Sequence, residues 1–383
     1  MVGANGRGPG AVERFMSDYY FAYGSNLDRE DWARFCARQG ADPASICAVG
    51  PAVLPDCELA FNYRSAARDG GALNLAPRRG QVVHGVLFEA SSEGWAALDT
   101  KEGVAAGRYR RSDRRAIVPG GAVVPVTTYE VVRERIESFV APRPEYVDTV
   151  ARGLAAHGLP TTQLDAAARG ERPPAEVEGF FVYGTLMRGE SRFGAIAAHG
   201  LSRVLLSRGR GWLHETAGDY PMMDLGAAAD EGEVRGEYMG VTALEAAVEA
   251  LDAVEDFAGY GRPDNEYVRT LVRIDTGEHR PRLAWSYVAW NRQMIGARIP
   301  SGCWREHRGV REAFFRRLAG AHQGGNTAFL RSLRAAVREF VVAQHPEPPA
   351  EPTLDAIAQA LSDGRLTEHR LAQLSGRWAA LAE

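Results

Sequence analysis

Tyr20-Phe21-Ala22-Tyr23-Gly24-Ser25-Asn26-Leu27 reads as an aromatic-rich strand that stops at a glycine. Phe180-Phe181-Val182-Tyr183-Gly184-Thr185-Leu186 repeats it later in the chain. Each stretch is followed by a Leu-Asp-x-x-Glu: Leu98-Asp99-Thr100-Lys101-Glu102 in the first copy, Leu251-Asp252-Ala253-Val254-Glu255 in the second. A Tyr-x-Arg comes soon after, Tyr109-Arg110-Arg111 and Tyr267-Val268-Arg269. Chance rarely preserves order, spacing and residue type together. The repeat therefore predicts two related domains, each with one candidate acidic residue and one candidate binding loop.

Working outward, 383 residues suit two domains and an extra segment. A chain with 45% hydrophobic and 25% charged residues has material for two cores. A net charge of -4 points away from nucleic acid as a partner. Of the 45 basic residues, all but Lys101 are arginine. Together with the many alanines this looks like codon bias in a GC-rich bacterial genome, so arginine abundance is not read as phosphate binding. The four cysteines form no Cys-x-x-Cys pair and no zinc-type spacing with histidine, and are expected to be reduced structural thiols. No stretch approaches the roughly 20 apolar residues of a membrane span. The N-terminus lacks the apolar segment of a signal peptide. A cytoplasmic location, with no membrane partner, is the expectation.

Along the chain, residues 1–17 are expected to be disordered and 18–167 to form the first domain. A strand ends at Gly24, and Asn26 or Asp28 caps a helix over 29–38. Residues 50–90 hold short apolar runs punctuated by Gly and Pro, the clearest strand being 82–88. Ser91 or Ser92 starts a helix toward Glu102, and strands are predicted near 116–118 and 123–131. A helix over 145–156 closes at Gly158. Residues 168–178 read as an exposed linker. The second domain covers 179–305, with a helix over 243–253 that delivers Glu255. From 306 to 383 apolar residues recur at helical spacing, broken by a proline-rich stretch at 345–349. This helical C-terminal extension is expected to pack on the domains or to form a homodimer with a second copy of the chain.

The first copy, with Gly103 after its Leu-Asp-x-x-Glu, Pro144-x-Tyr146 and Gly158-Leu159-Pro160, resembles the γ-glutamylcyclotransferase family. The second resembles the AIG2-like branch of that superfamily, through Tyr183-Gly184-Thr185-Leu186-Met187-Arg188-Gly189, Tyr220-Pro221, Gly236-Glu237, Tyr267-x-Arg269 and Ile299-Pro300-Ser301-Gly302-x-Trp304. The resemblance implies an α+β fold of two small mixed β-barrel domains with flanking helices. It also implies release of 5-oxoproline (pyroglutamate) from a γ-glutamyl amide, with a glutamate as acid/base. The second copy departs from the pattern in two places. Asp256 follows Glu255 where the pattern has Gly, and the segment from Ala258 to Glu266 is lengthened.

Cyclotransfer needs little beyond a folded substrate and a proton carrier. The substrate's α-amine attacks its own γ-amide carbonyl, so the nucleophile is already tethered. One carboxylate can take the ammonium proton and return it to the leaving amine. Glu102 and Glu255 are the candidates, given apolar surroundings that raise their pKa. Leu98 and Val104 would surround Glu102; Leu251, Val254 and Phe257 would surround Glu255. Gly24 and its loop N–H groups suit an anion, the substrate's α-carboxylate. Tyr23, Gly24, Ser25, Asn26 and Leu27 are assigned to that loop, with Tyr183, Gly184, Thr185 and Leu186 in the second copy. Tyr146 matches the family's substrate-side tyrosine. Tyr109, Arg111, Tyr267 and Arg269 are expected to serve the scaffold.

No serine-hydrolase elbow, Walker loop or His-Glu-x-x-His is present, and no metal, nucleotide or flavin is called for. The first copy has the fuller set of residues, and the second lacks an evident later helix carrying a tyrosine. The leaving group is either an amino acid or an amine unmasked from a γ-glutamylated intermediate of specialised metabolism. A catalytically silent module that binds γ-glutamyl or amine conjugates is the alternative reading.

Overall fold

The computed structural model describes residues 19–218, 220–226 and 232–309. The first copy contains β1 (Tyr19–Ala22), α1 (Arg29–Gln39), β2 (Ile46–Ser65), β3 (Gly70–Ala90), α2 (Ser92–Glu102), β4 (Tyr109–Ile117), β5 (Val123–Val131), α3 (Pro144–Ala156) and α4 (Thr162–Ala168). Its strands close into a barrel in the order β1-β3-β2-β4-β5. β1 runs antiparallel to β3, with Phe21 opposite Leu87, and parallel to β5, with Tyr20 opposite Thr127. Closure leaves no free sheet edge and makes the barrel mixed.

The second copy contains β6 (Gly179–Val182), α5 (Phe193–Ala197), β7 (Leu201–Arg210), β8 (Trp212–Glu215), β9 (Pro221–Asp224), β10 (Glu233–Val241), α6 (Leu244–Val254), β11 (Tyr267–Asp275) and β12 (Arg282–Ala289). It closes in the corresponding order β10-β6-β12-β11-β7, while β8 and β9 pair apart from the barrel. β6 is again antiparallel on one side, Phe181 opposite Tyr238, and parallel on the other, Phe180 opposite Trp285. The protein is thus α+β, with two small mixed barrels and flanking helices. Each has its own apolar core: Phe21, Leu73, Leu98 and Val150 in one, Phe181, Leu251, Ala284 and Trp285 in the other.

Residues 50–90 differ from the expected short runs. They belong to one long hairpin of β2 and β3, carried through Gly50, Pro51 and Pro55 by register shifts at Ala48/Gly50, Pro55/Cys57 and Phe61/Tyr63. The Gly and Pro signals mark bulges inside the strands, not their ends. Cys57, Leu59, Phe61 and Tyr63 are buried with the period of two that a half-buried strand requires. β4 starts earlier than expected, at Tyr109. The stretch 168–178 is mostly exposed, as expected of a connector, but it is pinned to the first barrel near its end. Pro173 accepts from Arg78 Nη1 at 2.7 Å, Glu176 N donates to Gln81 at 3.2 Å, and Val177 is fully buried.

Residues 304–309 are helical, and the rest of the expected C-terminal helices, with the homodimer they would form, lies outside the described residues, as does the N-terminal stretch 1–17. Among the described residues no helix is long and apolar enough to cross a membrane.

Candidate active site

In both barrels the motif residues meet where the first strand leaves the barrel. Ser25–Leu27 forms a single 3-10 turn after β1. Asp28 caps α1, accepting from Asp31 N at 2.8 Å. Asn26 is thereby free for another partner. Its Nδ2 donates to Glu102 Oε1 at 2.8 Å and to Tyr20 Oη at 2.7 Å. Its Oδ1 is buried and has no partner among the described residues.

Glu102 is the last residue of α2, which ends because Gly103 takes the left-handed conformation at φ 67°. In the second copy Asp256 holds the same handedness at φ 48°. The turn after the glutamate is therefore kept although its glycine is not.

The Asp of each Leu-Asp-x-x-Glu ties the glutamate's helix to the barrel. Asp99 accepts from Arg111 Nε at 2.8 Å and from Tyr129 Oη at 2.7 Å. Asp252 accepts from Arg269 Nε at 2.8 Å and from Tyr287 Oη at 2.7 Å. The Tyr of each Tyr-x-Arg donates to a backbone carbonyl, Tyr109 to Leu73 at 2.7 Å and Tyr267 to Pro221 at 3.0 Å. These bonds are scaffold, and they account for the recurrence of the motif.

The loop tyrosines are also engaged. Tyr23 donates to Tyr129 O at 2.7 Å and Tyr183 to Tyr287 O at 2.5 Å, so neither hydroxyl proton is left for a substrate. Leu27 is buried, and its N–H donates to Gly24 O at 3.1 Å, leaving neither side chain nor N–H for a ligand. The Ser25 and Asn26 N–H groups open the turn and are not used by it. A Cβ on Gly24 would stand 3.8 Å from Tyr146 Oη, so glycine keeps the space between loop and tyrosine open. Tyr146 is buried, accepts weakly from Leu73 N at 3.5 Å, and can donate its own proton.

One residue at this site carries no sequence signal. Arg68, at the tip of the β2–β3 hairpin, donates to Ser25 Oγ at 3.0 Å and lies 4.6 Å from the Tyr146 ring centre. Lys101 turns away from Glu102 to pair with Asp31 at 2.8 Å. Glu102 is half-buried. Burial pushes its carboxyl above the ordinary range, against the pull of Lys101, Asn26 and Arg68.

The second copy is more complete than its sequence suggested. A cavity is lined by Thr185, Leu186, Arg192, Tyr220, Glu255 and Tyr267, among others, with Tyr183 and Gly184 on the same wall. Tyr220 comes from the segment before β9 and not from a later helix. Arg192 lies 5.9 Å from its ring, as Arg68 lies over Tyr146. Leu186 stands where the first loop has Asn26, and no hydrogen bond reaches the Glu255 carboxylate from the described residues. Glu255 is only 9% exposed. Burial pushes its carboxyl up to about 7, with Arg192 opposing and Glu266 and Asp256 adding to the rise. Among the described residues no three His, Cys, Asp or Glu side chains converge as metal ligands would.

Residues 180–306 match the family model described as Gamma-glutamyl cyclotransferase, AIG2-like, and residues 82–166 match the AIG2-like family model. Among solved structures, one titled Gamma-glutamyl cyclotransferase is 27% identical over 41% of this chain and 88% of its own, with a TM-score of 0.34. An uncharacterized protein from Homo sapiens gives 27% identity, the same coverages and a TM-score of 0.34. YkqA from Bacillus subtilis is 28% identical over 39% of this chain and 52% of its own, also with a TM-score of 0.34. A search of curated proteins finds no match. With one matched segment in each barrel, the chain is a tandem member of the γ-glutamylcyclotransferase-like, AIG2-like superfamily.

Proposed function

We propose that the protein is a γ-glutamyl cyclotransferase. It would convert a γ-glutamyl amide to 5-oxoproline and a free amine or amino acid. The carrying observation is a buried or half-buried glutamate at a helix end, beside the Tyr-Gly loop, with its pKa raised, in both barrels. A base poised near neutrality can take a proton from an ammonium and return it.

In the first site the substrate's α-carboxylate would meet the Ser25 and Asn26 N–H groups and Arg68. Its ammonium would donate to Asn26 Oδ1, a buried acceptor otherwise without a donor. Glu102 takes one ammonium proton. The amine nitrogen then attacks the γ-carbonyl carbon, Glu102 returns the proton to the leaving nitrogen and the bond to that nitrogen breaks; the second proton of the ring nitrogen follows through Glu102, leaving a lactam N–H and a free ammonium. Tyr146 can donate to the glutamyl end. In the second site Glu255 would do the same work, with Arg192 and Tyr220 at the mouth.

The test is pyroglutamate release from a panel of γ-glutamyl amino acids and γ-glutamyl amines. Glu102→Gln and Glu255→Gln, made singly and together, assign the activity to each barrel. The double variant should release none. Tight binding without release by the wild-type protein would replace this reading with that of a binding module.

A further inference from the structure

The two copies of the Arg–Asp tie differ in one respect. In the first barrel the guanidinium fork of Arg111 closes on Asp99, Nε to Oδ1 at 2.8 Å and Nη2 to Oδ2 at 2.9 Å, and its further bond, Nη2 to Trp95 O at 3.3 Å, stays within the same barrel. In the second, Arg269 Nε keeps its bond to Asp252 Oδ1 at 2.8 Å, but Nη2 stands 3.5 Å from Asp252 Oδ2. That arm is diverted to Asp56 Oδ2 at 2.7 Å, and Asp56 belongs to the first barrel.

Asp56 is built for this reach. It sits at the Pro55/Cys57 bulge of β2, in the left-handed conformation at φ 59°, and its other oxygen accepts from Gly80 N at 2.8 Å. Arg269 is 1% exposed at the side chain, against 28% for Arg111. A buried guanidinium is held only where its charge is paired, so Asp56 and Asp252 share one cation.

The lengthened segment after Glu255 serves the same junction. Its Tyr260 packs edge-on against Phe257 with ring centres 5.0 Å apart, and Arg269 lies 5.6 Å from both rings. A Cβ on Gly261 would stand 3.1 Å from Arg115 Nη2 of the first barrel.

We propose that Asp56 is a positioning residue of the second site: by holding Arg269 it sets, through Asp252, the end of α6 that carries Glu255. The second site is then completed by the first barrel. This rests on the reading of Glu255 as acid/base, so its test includes a measurement that does not need turnover.

Asp56→Asn is the informative change. Asparagine tolerates the left-handed backbone and can still accept from Gly80 N, which turns its NH2 toward Arg269, so the charge and the acceptor that hold Arg269 are lost while the turn is kept. In the full chain carrying Glu102→Gln, kcat for pyroglutamate release should fall by on the order of tenfold with KM unchanged. In the Glu255→Gln chain, where only the first site works, Asp56→Asn should change nothing.

The independent arm is an NMR titration of the Glu255 carboxyl. Loosening the helix end admits water, so the midpoint should fall by about one unit toward the ordinary range. Arg192, Glu266 and Asp256, the charges that act on Glu255, are untouched. Thr270→Val is the control, since it removes another cross-barrel bond, Thr270 Oγ1 to Gly121 O at 2.6 Å, without touching Arg269. It should leave the midpoint in place. Asp56→Gly, which also tolerates the turn, should repeat the shift and serves if the asparagine variant does not fold.

An unmoved Glu255 midpoint in the Asp56 variants, or an equal shift from Thr270→Val, overturns the proposal. If no variant and no wild-type protein forms pyroglutamate, the cyclotransferase reading fails, and the titration alone decides the coupling.

Discussion

Asn26 Nδ2 lies 2.8 Å from Glu102 Oε1, so the loop of the first barrel is hydrogen-bonded to the carboxylate that ends α2. The second barrel has Leu186 at the matching position and no such bond. This difference, together with Lys101 and Arg68 beside Glu102 and with Glu266 and Asp256 beside Glu255, separates the two glutamates electrostatically. A donor to a carboxylate stabilises its charged form. Glu102 is raised against that donor, whereas Glu255 rises to about 7 without one.

Asn26→Leu, which copies the second loop into the first, should therefore raise the Glu102 pKa by about one unit or more. In a Glu255→Gln background the acid limb of the pH–rate profile should move to higher pH by that amount. The loss of the Oδ1 acceptor should also raise KM. An unmoved acid limb would mean that Glu102 is not the titrating base.

Arg68→Ala probes the hairpin tip. Its guanidinium joins Ser25 Oγ to the Tyr146 ring and is positioned to meet an anion at the loop. Charge-assisted bonds of this kind contribute about 1.5–3 kcal/mol. First-site KM should rise by roughly tenfold or more, with second-site kinetics unchanged. A fall in kcat without a change in KM would place Arg68 in the reaction and not in binding.

How far these features were legible varied with how local their cause is. The two related domains and their candidate glutamates are legible in a repeat with strand, turn and helix signals intact, and the barrel is legible only through the family resemblance. α2 is bounded by Ser91 at its N-cap and Gly103 at its C-cap because capping is encoded in single residues. The β2–β3 hairpin is not legible in the sequence because Pro55 and Gly50 end strands in most settings, and only the paired strand shows that they sit at bulges. Arg68, Arg192 and Asp56 were invisible for a related reason. Each reaches its partner across the fold, and an arginine among so many others carries no pattern. The Asp of Leu-Asp-x-x-Glu was in plain view, but its partner was fixed only by the helix-to-barrel docking.

Lys101, the sole lysine, is a case where composition and packing agree. Its side chain is 9% exposed, paired with Asp31 at 2.8 Å, and sits 5.5 Å and 5.4 Å from the Trp32 and Phe35 rings. A compact ammonium fits this space, and a guanidinium is longer and planar. Lys101→Arg should destabilise by about 1–3 kcal/mol, the usual range for overpacking. Urea unfolding measures this. A loss under 0.5 kcal/mol, about what ordinary surface changes give, would show that the pocket accepts either cation.

Glu255 offers the sharpest pH test. Its carboxyl is raised from 4.5 to about 7 by burial, so the folded protein binds a proton there that the unfolded chain has lost. Stability contributed by that site is present below about 4.5 and falls as pH rises toward 7. A shift of this size corresponds to roughly 3 kcal/mol at full ionisation. Glu255→Gln cannot ionise, so at pH 8 it should be more stable than wild type by up to about 3 kcal/mol and at pH 4 nearly equal. Activity should run the other way, because the base must be ionised to accept a proton. In the Glu102→Gln background, second-site kcat/KM should climb about tenfold per pH unit below 7 and level off above it. Chemical denaturation at the two pH values and a pH–rate profile read both effects. Together they identify the buried carboxyl that the fold destabilises and the reaction uses as one group. A Glu255→Gln protein no more stable than wild type at pH 8 would remove the burial argument, whatever the activity showed.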